Sequence, residues 1–162
     1  MSKRYFSIPI IIIAVCIFGL LSALLRPYDT AILDSGSTSE RLQYAYETDQ
    51  NDRRQLKSYI PYLSKLKERD DLRLNQAKRI DEGTEDLKPI DQFYAAFIFH
   101  HSDNSNDYET ASKLASEAAN ARHLQDHYLV QWLNKAAYDR WMVSMGKAEK
   151  YNTQNKFSIE ID

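Results

Sequence analysis

The feature that most constrains this chain is an apolar run near its N-terminus, from Ile8 to Leu25, that contains no charged residue. Its 18 residues fall within the range of about 17 to 25 that an α-helix needs to cross the hydrocarbon core of a bilayer. Phe6 extends the run on one side and Arg26 closes it on the other. We therefore predict one transmembrane helix, with residues 6–25 in contact with lipid.

Basic residues flank the run unevenly, with Lys3 and Arg4 before it and Arg26 alone directly after it. The positive-inside rule therefore predicts a cytoplasmic N-terminus and a domain on the other side of the membrane. A cleaved signal peptide is the alternative, but its apolar core spans about 7–15 residues and its cleavage site needs small residues at fixed positions. The end of this run lacks that spacing, so we favour an uncleaved anchor, in which Cys16 is an ordinary lipid-facing residue.

A length of 162 residues allows one folded domain. Beyond Arg26 the chain has 18 basic and 23 acidic residues, a net charge of −5, so we expect no general attraction to anionic lipid. The absence of a basic block argues against nucleic acid as a partner. A single Cys excludes an intrachain disulfide and a Cys-cluster zinc site, and no Gly-rich phosphate loop is present, so no cofactor is predicted.

The hydrophobic periodicity predicts an all-α protein: the transmembrane segment (1–26), a linker (27–39), a small bundle of about five helices (40–156) and a tail (157–162). Ser37 and Glu40 have the spacing of a capping box, and Asp91 follows Pro89 as a candidate N-cap. The five helices are expected from Thr38 to the region before Pro61, and over about 62–82, 90–102, 106–121 and 124–145. The one possible strand covers 157–161.

Arg140 falls in the middle of the apolar stripe of the last predicted helix, at about 100° per residue. A guanidinium that faces a core cannot lose its proton, so it must be paired or must reach water. We therefore expect a carboxylate from another helix to meet it, with Asp49, Asp52 and Asp91 as candidates. The alternative is an Arg side chain that extends to solvent at the helix end.

His101 is predicted at the C-terminal end of an almost wholly apolar helix, on the same face as Tyr94 and Ile98. A histidine there can act as an acid or base, although a structural role is the more common one. His123 and His127 share a helical face at the spacing of a metal pair, but two ligands without a third do not make a zinc site, so no metal is predicted.

A set of short motifs follows in the domain: Asp91 with Ala95-Ala96 and a terminal His100-His101, a helix of small residues, Asp139-Arg140, and Gly146 to Gln154 with Tyr151 and Thr153. Upstream, Asp49 to Arg53 has the form Asp-Gln-x-x-Arg. Together these motifs resemble a bacterial domain-of-unknown-function family of helical proteins. His100, Glu149 and Asn152 depart from the family pattern, which has Gln, Gln and Gly at these positions.

The resemblance implies that polar residues on buried faces converge into one cluster covered by the C-terminal segment. The residues it marks are Asp49, Arg53, Asp91, His101, Asp139, Arg140, Tyr151 and Gln154. The family supplies no reaction. It does imply a bacterial chain, and hence an anchor in the inner membrane with the domain in the periplasm or outside.

Two functions fit these residues. The first is a binding or interaction module in which the polar cluster is structural, with a protein as a possible partner. The second is a hydrolase-like enzyme in which His101 is the general acid or base, Asp49 or Asp139 orients it, and Arg53 or Arg140 stabilises an anion. We favour the binding module, and the position of His101 relative to an open cavity distinguishes the two.

Overall fold

The computed structural model describes residues 7–83 and 86–154, and every regular element in these ranges is helical. The predicted all-α class is confirmed, with one long N-terminal helix followed by a bundle of five. Lys3, Arg4 and the possible strand at 157–161 lie outside the described residues. The α-helices are α1 (Ser7–Leu25), α2 (Thr38–Arg53), α3 (Leu66–Gly83), α4 (Pro89–His100), α5 (Ser105–Asn120) and α6 (Tyr128–Ser144). Two short 3-10 helices cover Leu56–Tyr59 and Arg122–Leu124.

Helix α1 is long and apolar enough to cross a membrane. It has 19 residues, which corresponds to about 28 Å at 1.5 Å per residue. The window Ile8–Leu25 has a mean hydropathy of 2.9, and none of it is buried against the rest of the protein. An apolar helix with its side chains exposed along this window is suited to a lipid environment, and it meets the domain at the 3-10 helix Leu56–Tyr59.

Helix boundaries follow the capping chemistry of the sequence at the start of α2, with corrections elsewhere. Helix α2 ends at Arg53 rather than just before Pro61, and α3 begins at Leu66 rather than near Tyr62, because a 3-10 helix and a turn occupy the connection. The capping box of α2 is present, since the Ser37 hydroxyl accepts from the Glu40 N–H and the Glu40 carboxylate accepts from the Ser37 N–H. Asp91 is not the N-cap of α4. Lys88 occupies that position and Pro89 begins the helix, where its missing N–H costs nothing. Helix α6 begins at Tyr128 rather than near 124, because the His127 ring caps it by accepting from the Val130 N–H.

Helix α4 forms the centre of the bundle and contacts α2, α3, α5 and α6. It is apolar on all sides, and Phe93, Phe97 and Phe99 are buried. A stripe of small residues on α5, which includes Ala111, Ala115 and Ala118, is also buried. Small side chains allow two helices to approach closely, so α5 packs along α4 over most of its length.

Hydrogen bonds between side chains fix the direction of each helix. Ser39 bonds Asp91 and Asp49 lies against His101, so α2 and α4 run in the same direction. Gln92 bonds Glu117, so α5 runs in the opposite direction. We call the end of the bundle at which the 3-10 helix 56–59 contacts α1 the α1 end, and the other the far end. Helices α2, α4 and α6 run towards the α1 end.

The segment between α1 and α2, predicted as a linker, is packed along α2 and α3 rather than free in solvent. Buried polar side chains on these helices and on the 3-10 helix Leu56–Tyr59 between them donate to its carbonyl oxygens. These contacts are Arg69 to Asp29 at 2.7 Å, Thr48 to Ala31 at 3.0 Å, Gln76 to Leu33 at 2.7 Å, and Lys57 to Arg26. The linker therefore runs from the α1 end to the far end in a fixed conformation, because its backbone acceptors are satisfied by the domain.

The capping box at Ser37 gives a direct test of how α2 begins. We expect Ser37→Ala to lower the free energy of unfolding by about 1 kcal/mol, because the α2 N-terminus loses its side-chain acceptor. The measurement is urea unfolding of the full chain in detergent micelles, followed by far-ultraviolet circular dichroism. Ser35→Ala is the matched control, since Ser35 is exposed two residues away. Equal losses in the two variants would contradict the role of the cap.

Candidate functional site

A buried network of carboxylates and guanidiniums lies between helices α2 and α3. At the centre of this network, Asp52 is 2% exposed and Arg73 is 1% exposed. Asp52 accepts hydrogen bonds from the guanidiniums of both Arg69, at 2.6 Å, and Arg73. Each ion is costly to bury alone, so the three are held in place by one another and by the linker carbonyl that Arg69 also bonds.

A second layer of the same network lies closer to the surface. Arg53 donates to Asp70 at 2.7 Å and lies 3.0 Å from Asp49, its i−4 neighbour on α2. Arg73 reaches the other oxygen of Asp70 at 3.1 Å. Asp49, Asp52 and Arg53 share one face of α2 by their spacing of three and four residues. We call these two layers, with Asp49, Asp52, Arg53, Arg69, Asp70 and Arg73, the carboxylate–guanidinium network.

His101 joins this network from the end of α4. Its Nδ1 lies 3.2 Å from an Asp49 carboxylate oxygen and 3.2 Å from Nε of Arg53. Arg53 Nε also lies 3.2 Å from Asp49, so one proton assignment satisfies the group: both His101 Nδ1–H and Arg53 Nε–H donate to Asp49. In this tautomer Nε2 of His101 is an acceptor, and it makes no hydrogen bond with residues 7–83 or 86–154.

Charge and burial shift the acids of the network in opposite directions. Burial alone would raise the pKa of Asp49, but the hydrogen bonds from His101 and Arg53 and the charge of Arg53 outweigh it and hold that pKa well below its ordinary value. Burial raises the pKa of Asp70, and the nearby Asp49 carboxylate adds to the effect while Arg53 opposes it. Asp49 is therefore the fixed anion of the pair, and its charge holds the His101 ring.

An open cavity of about 450 Å³ lies beside the exposed edge of this network. Its walls come from the start of α3, the end of α4 and the turn that leads into α5. The lining residues are Lys67, Asp70, Asp71, Leu74, Ile98, His101, Ser102, Asp103, Asn104 and Asp107. Four carboxylates against one lysine give the cavity an acidic wall. Among the described residues no three His, Cys, Asp or Glu side chains are arranged to hold a metal ion.

The residues predicted from the sequence divide into separate groups. Asp49, Arg53 and His101 come together in the carboxylate–guanidinium network. Asp91 lies at the far end of the bundle, where it accepts from the Ser39 hydroxyl at 2.6 Å. Asp139, Tyr151 and Gln154 form a third group at the end of α6. The structure thus does not gather the predicted residues into one cluster.

Arg140 does not meet the carboxylate that the sequence analysis expects. Its guanidinium lies over the Tyr108 ring, 5.1 Å from the centroid, and it forms no ion pair within residues 7–83 and 86–154. The physical reason is the packing of α6 against α5 and α4, which points Arg140 at the first turn of α5. Asp49 and Asp52 are instead bonded by cations of α2 and α3.

Asp139 holds the C-terminal segment and does not orient His101. It is 0% exposed. Its carboxylate accepts from the backbone N–H groups of Lys150, Tyr151 and Thr153 at 2.8 to 3.1 Å, and from the Thr153 hydroxyl at 2.9 Å. Gln154 closes this turn by donating to the Ala136 carbonyl at 3.2 Å. The segment therefore folds back over α6 rather than over His101.

The turn held by Asp139 needs one left-handed residue, and Asn152 supplies it with a φ of 55°. Asn tolerates this conformation better than most residues because its short polar side chain bonds locally. Tyr151 remains half-exposed and packs edge-on against Tyr138, with ring centroids 5.9 Å apart. Asn152 thus supplies the left-handed residue on which the turn depends.

His100 is buried next to His101 and carries no charge. Burial, with the positive charge of Arg140, lowers the pKa of His100 to about 3. Its Nδ1 has no hydrogen-bond partner among the described residues. His100 is therefore a neutral core residue, and of the adjacent histidines only His101 lines the cavity.

The cations of α3 were not among the predicted site residues. Arg69, Arg73, Gln76 and Ile80 recur at spacings of three and four and form the buried face of that helix. A helical wheel of α3 shows this spacing. However, a row of arginines on one face predicts a solvent-exposed face when no carboxylates are known to pair with it. Lys67, Ser102 and Asp107 also line the cavity without any motif that marks them.

No protein-family model, curated protein or solved structure matches this chain in the three comparisons made. The resemblance described from short motifs therefore stays a prediction, and the geometry of the cavity carries the functional argument.

The Asp139 carboxylate gives a prediction with a defined pH dependence. Burial raises the pKa of Asp139 but its backbone hydrogen bonds lower it further, so the net shift is downward. A lowered pKa means that the carboxylate stabilises the fold above the unfolded value of about 4 and stops doing so as the pH falls through the folded value. We expect Asp139→Asn to cost about 2 kcal/mol at neutral pH, because N–H groups lose a charged acceptor.

Urea unfolding of the two proteins at a series of pH values measures this difference. It should shrink as the pH falls below about 4. Asp126→Asn is the control, since Asp126 is exposed and outside the C-terminal turn. A difference that stays constant with pH would show that the charge of Asp139 does not hold the segment.

Proposed function

We propose that the protein is a membrane-anchored binding module, held by α1 as a single-pass uncleaved anchor in a bacterial inner membrane. The length and hydropathy of α1 support the anchor. Lys3 and Arg4 support a cytoplasmic N-terminus and a domain on the opposite side of the membrane. The packed linker supports a fixed attachment of the domain to the end of α1.

We further propose that the cavity beside His101 binds a cationic group, such as a lysine or arginine side chain of a partner protein or a free amine. One observation carries this proposal: a neutral hydrogen-bond acceptor lies beside carboxylates. The acceptor is Nε2 of His101, whose Nδ1 is bonded by Asp49, and the carboxylates form the acidic wall of the cavity. Asp71 and Asp103 are the exposed carboxylates of that wall. A guanidinium or ammonium group can bond both kinds of acceptor at once.

The other charges near the cavity are already paired. Asp107 bonds Lys78 at 2.7 Å and the Ser102 hydroxyl at 2.6 Å, and Asp70 bonds Arg53 and Arg73. Lys67 reaches Asp103 at 2.9 Å on the exposed rim, where an ion pair contributes little and exchanges readily. Asp71 and His101 therefore remain as the acceptors with capacity for a ligand.

The test uses Nα-acetyl-arginine amide and Nα-acetyl-lysine amide as probes, with Nα-acetyl-glutamate amide as the anionic control. We expect saturable shifts of the His101 imidazole resonances in NMR spectra of the full chain with the cationic probes alone. Asp71→Asn should weaken binding by several fold, whereas Asp126→Asn, which removes the same charge outside the cavity, should not. Equal responses to cationic and anionic probes would contradict the proposal.

A hydrolase is the second candidate, and one observation favours it. A buried carboxylate that bonds Nδ1 of a histidine, while that ring lines an open cavity, is the arrangement by which a general base is oriented. Arg53, in contact with Asp49 and near the ring, would stabilise a developing anion. Arg140 and Asp139 take no part, because their contacts lie elsewhere.

Hydrolysis of p-nitrophenyl acetate by the purified full chain separates this candidate from the binding module. If His101 is a general base, His101→Ala loses most of the rate and Asp49→Asn loses part of it, because the ring loses its orientation. His123→Ala, a change at an exposed histidine outside the cavity, keeps the rate. Equal rates for the wild type and His101→Ala would reject the hydrolase.

A further inference from the structure

The connection between α2 and α3 exposes an unusual density of apolar side chains. We call residues 54–64 the interface loop. Of the ten large apolar or aromatic residues exposed outside α1 in the described chain, four lie in this loop. These are Leu56, Tyr59, Tyr62 and Leu63. Tyrosine side chains of this kind are enriched where a protein meets the headgroup layer of a bilayer, because the ring has an apolar body and a polar tip.

The position of the loop is fixed relative to the end of α1. Lys57 donates to the carbonyl of Arg26, the first residue after α1, and the 3-10 helix that contains Lys57 contacts α1. A groove of about 410 Å³ joins the two, with Ala23 and Arg26 on one side and Arg54 and Leu56 on the other. Residues that touch the last turn of α1 lie at the depth where α1 leaves the hydrocarbon core, since α1 is about as long as that core is thick.

Charge in this part of the chain is opposite to that of the domain as a whole. From Arg53 to Lys67 the sequence has five basic residues and no acidic one. Arg26, Arg54 and Lys65 are exposed, and none of them forms an ion pair within residues 7–83 and 86–154. Each basic side chain near an anionic bilayer surface adds to its attraction, and this attraction acts over only about a Debye length. The acidic remainder of the domain therefore does not cancel it.

From these observations we infer that the interface loop lies in the phospholipid headgroup layer beside α1, with Leu56 and Tyr59 inserted and Arg26 and Arg54 against lipid phosphates. This inference rests on the proposed membrane anchor. It places the domain against the bilayer at a defined edge, since the packed linker leaves little freedom at the end of α1.

The experiment compares three single-cysteine versions of the full chain, each labelled with the fluorophore NBD and reconstituted in phosphatidylcholine–phosphatidylglycerol vesicles. The native Cys16, in the middle of α1, reports the anchor. Tyr59→Cys and Tyr128→Cys, each in a Cys16→Ser background, report the interface loop and the far end. The two tyrosines are a matched pair, with 75% and 76% of their surface exposed.

Lipids with a nitroxide on the headgroup or in the acyl chain then quench each label by depth. We expect the acyl-chain nitroxide to quench the label at Cys16, and the headgroup nitroxide to quench the label at position 59 strongly and that at position 128 weakly. A label at 59 that is quenched no more than one at 128 overturns the inference while quenching at Cys16 leaves the anchor intact. Loss of quenching at Cys16 would instead overturn the anchor itself.

A charge variant tests the role of the lipid phosphates. Arg54→Gln should reduce the headgroup quenching at position 59, and more so in vesicles rich in phosphatidylglycerol than in pure phosphatidylcholine. Arg122→Gln is the control, since Arg122 is exposed near the far end. Equal quenching in Arg54→Gln and Arg122→Gln would overturn the placement of Arg54 against lipid phosphates.

Discussion

The arrangement of this domain depends on the pairing of Asp52 with two arginines of α3. A carboxylate and two guanidiniums inside a protein are stable only when they bond one another, because each loses the water that would otherwise solvate it. Removal of one partner from such a buried group typically costs about 3 to 5 kcal/mol. Asp52, Arg69 and Arg73 therefore fix the register of α2 against α3 more tightly than apolar packing of these largely polar helices could.

That register determines where the other functional groups lie. Arg69 bonds the linker at Asp29, so the pairing also positions the chain that leads back to α1. Arg73 extends from Asp52 to Asp70, and Asp70 bonds Arg53, which shares Asp49 with His101. A continuous set of bonds thus connects the attachment of α1 to the histidine at the cavity. Few side chains along this path can change without an effect on both ends.

Much of the fold could be predicted from the sequence, because local signals decide it. The run of apolar residues defines α1, the capping box starts α2, and the apolar composition of α4 places that helix in the centre. The N-cap of α4 could not be identified from the local sequence, since Lys88 and Asp91 are both candidates on either side of Pro89. Helix boundaries of this kind depend on which of several possible caps the tertiary structure allows.

The site was predictable only in part. The wheel of the last helix places Arg140 in the apolar stripe, but the buried residue is Asp139 and Arg140 is only partly buried. Adjacent residues differ by about 100° in direction, so the buried face of α6 is rotated away from that stripe, and Leu129 and Val143 are exposed. The partners of Asp49 could not be predicted from the sequence. The packing of α2 against α3 determines which residues pair, and the spacing of residues within each helix does not specify that packing.

The cavity and the interface loop lie at the same end of the bundle, and this proximity bears on both proposals. Tyr59 donates to the carbonyl of Arg53 at 2.8 Å, and Arg53 contacts His101, so one residue separates the loop from the site. With the loop in the headgroup layer, the cavity opens close to the bilayer surface. An anionic surface concentrates cations within about a Debye length of itself. A ligand with a basic group would therefore be enriched where the acidic wall of the cavity can bind it, and membrane attachment would serve recognition as well as location.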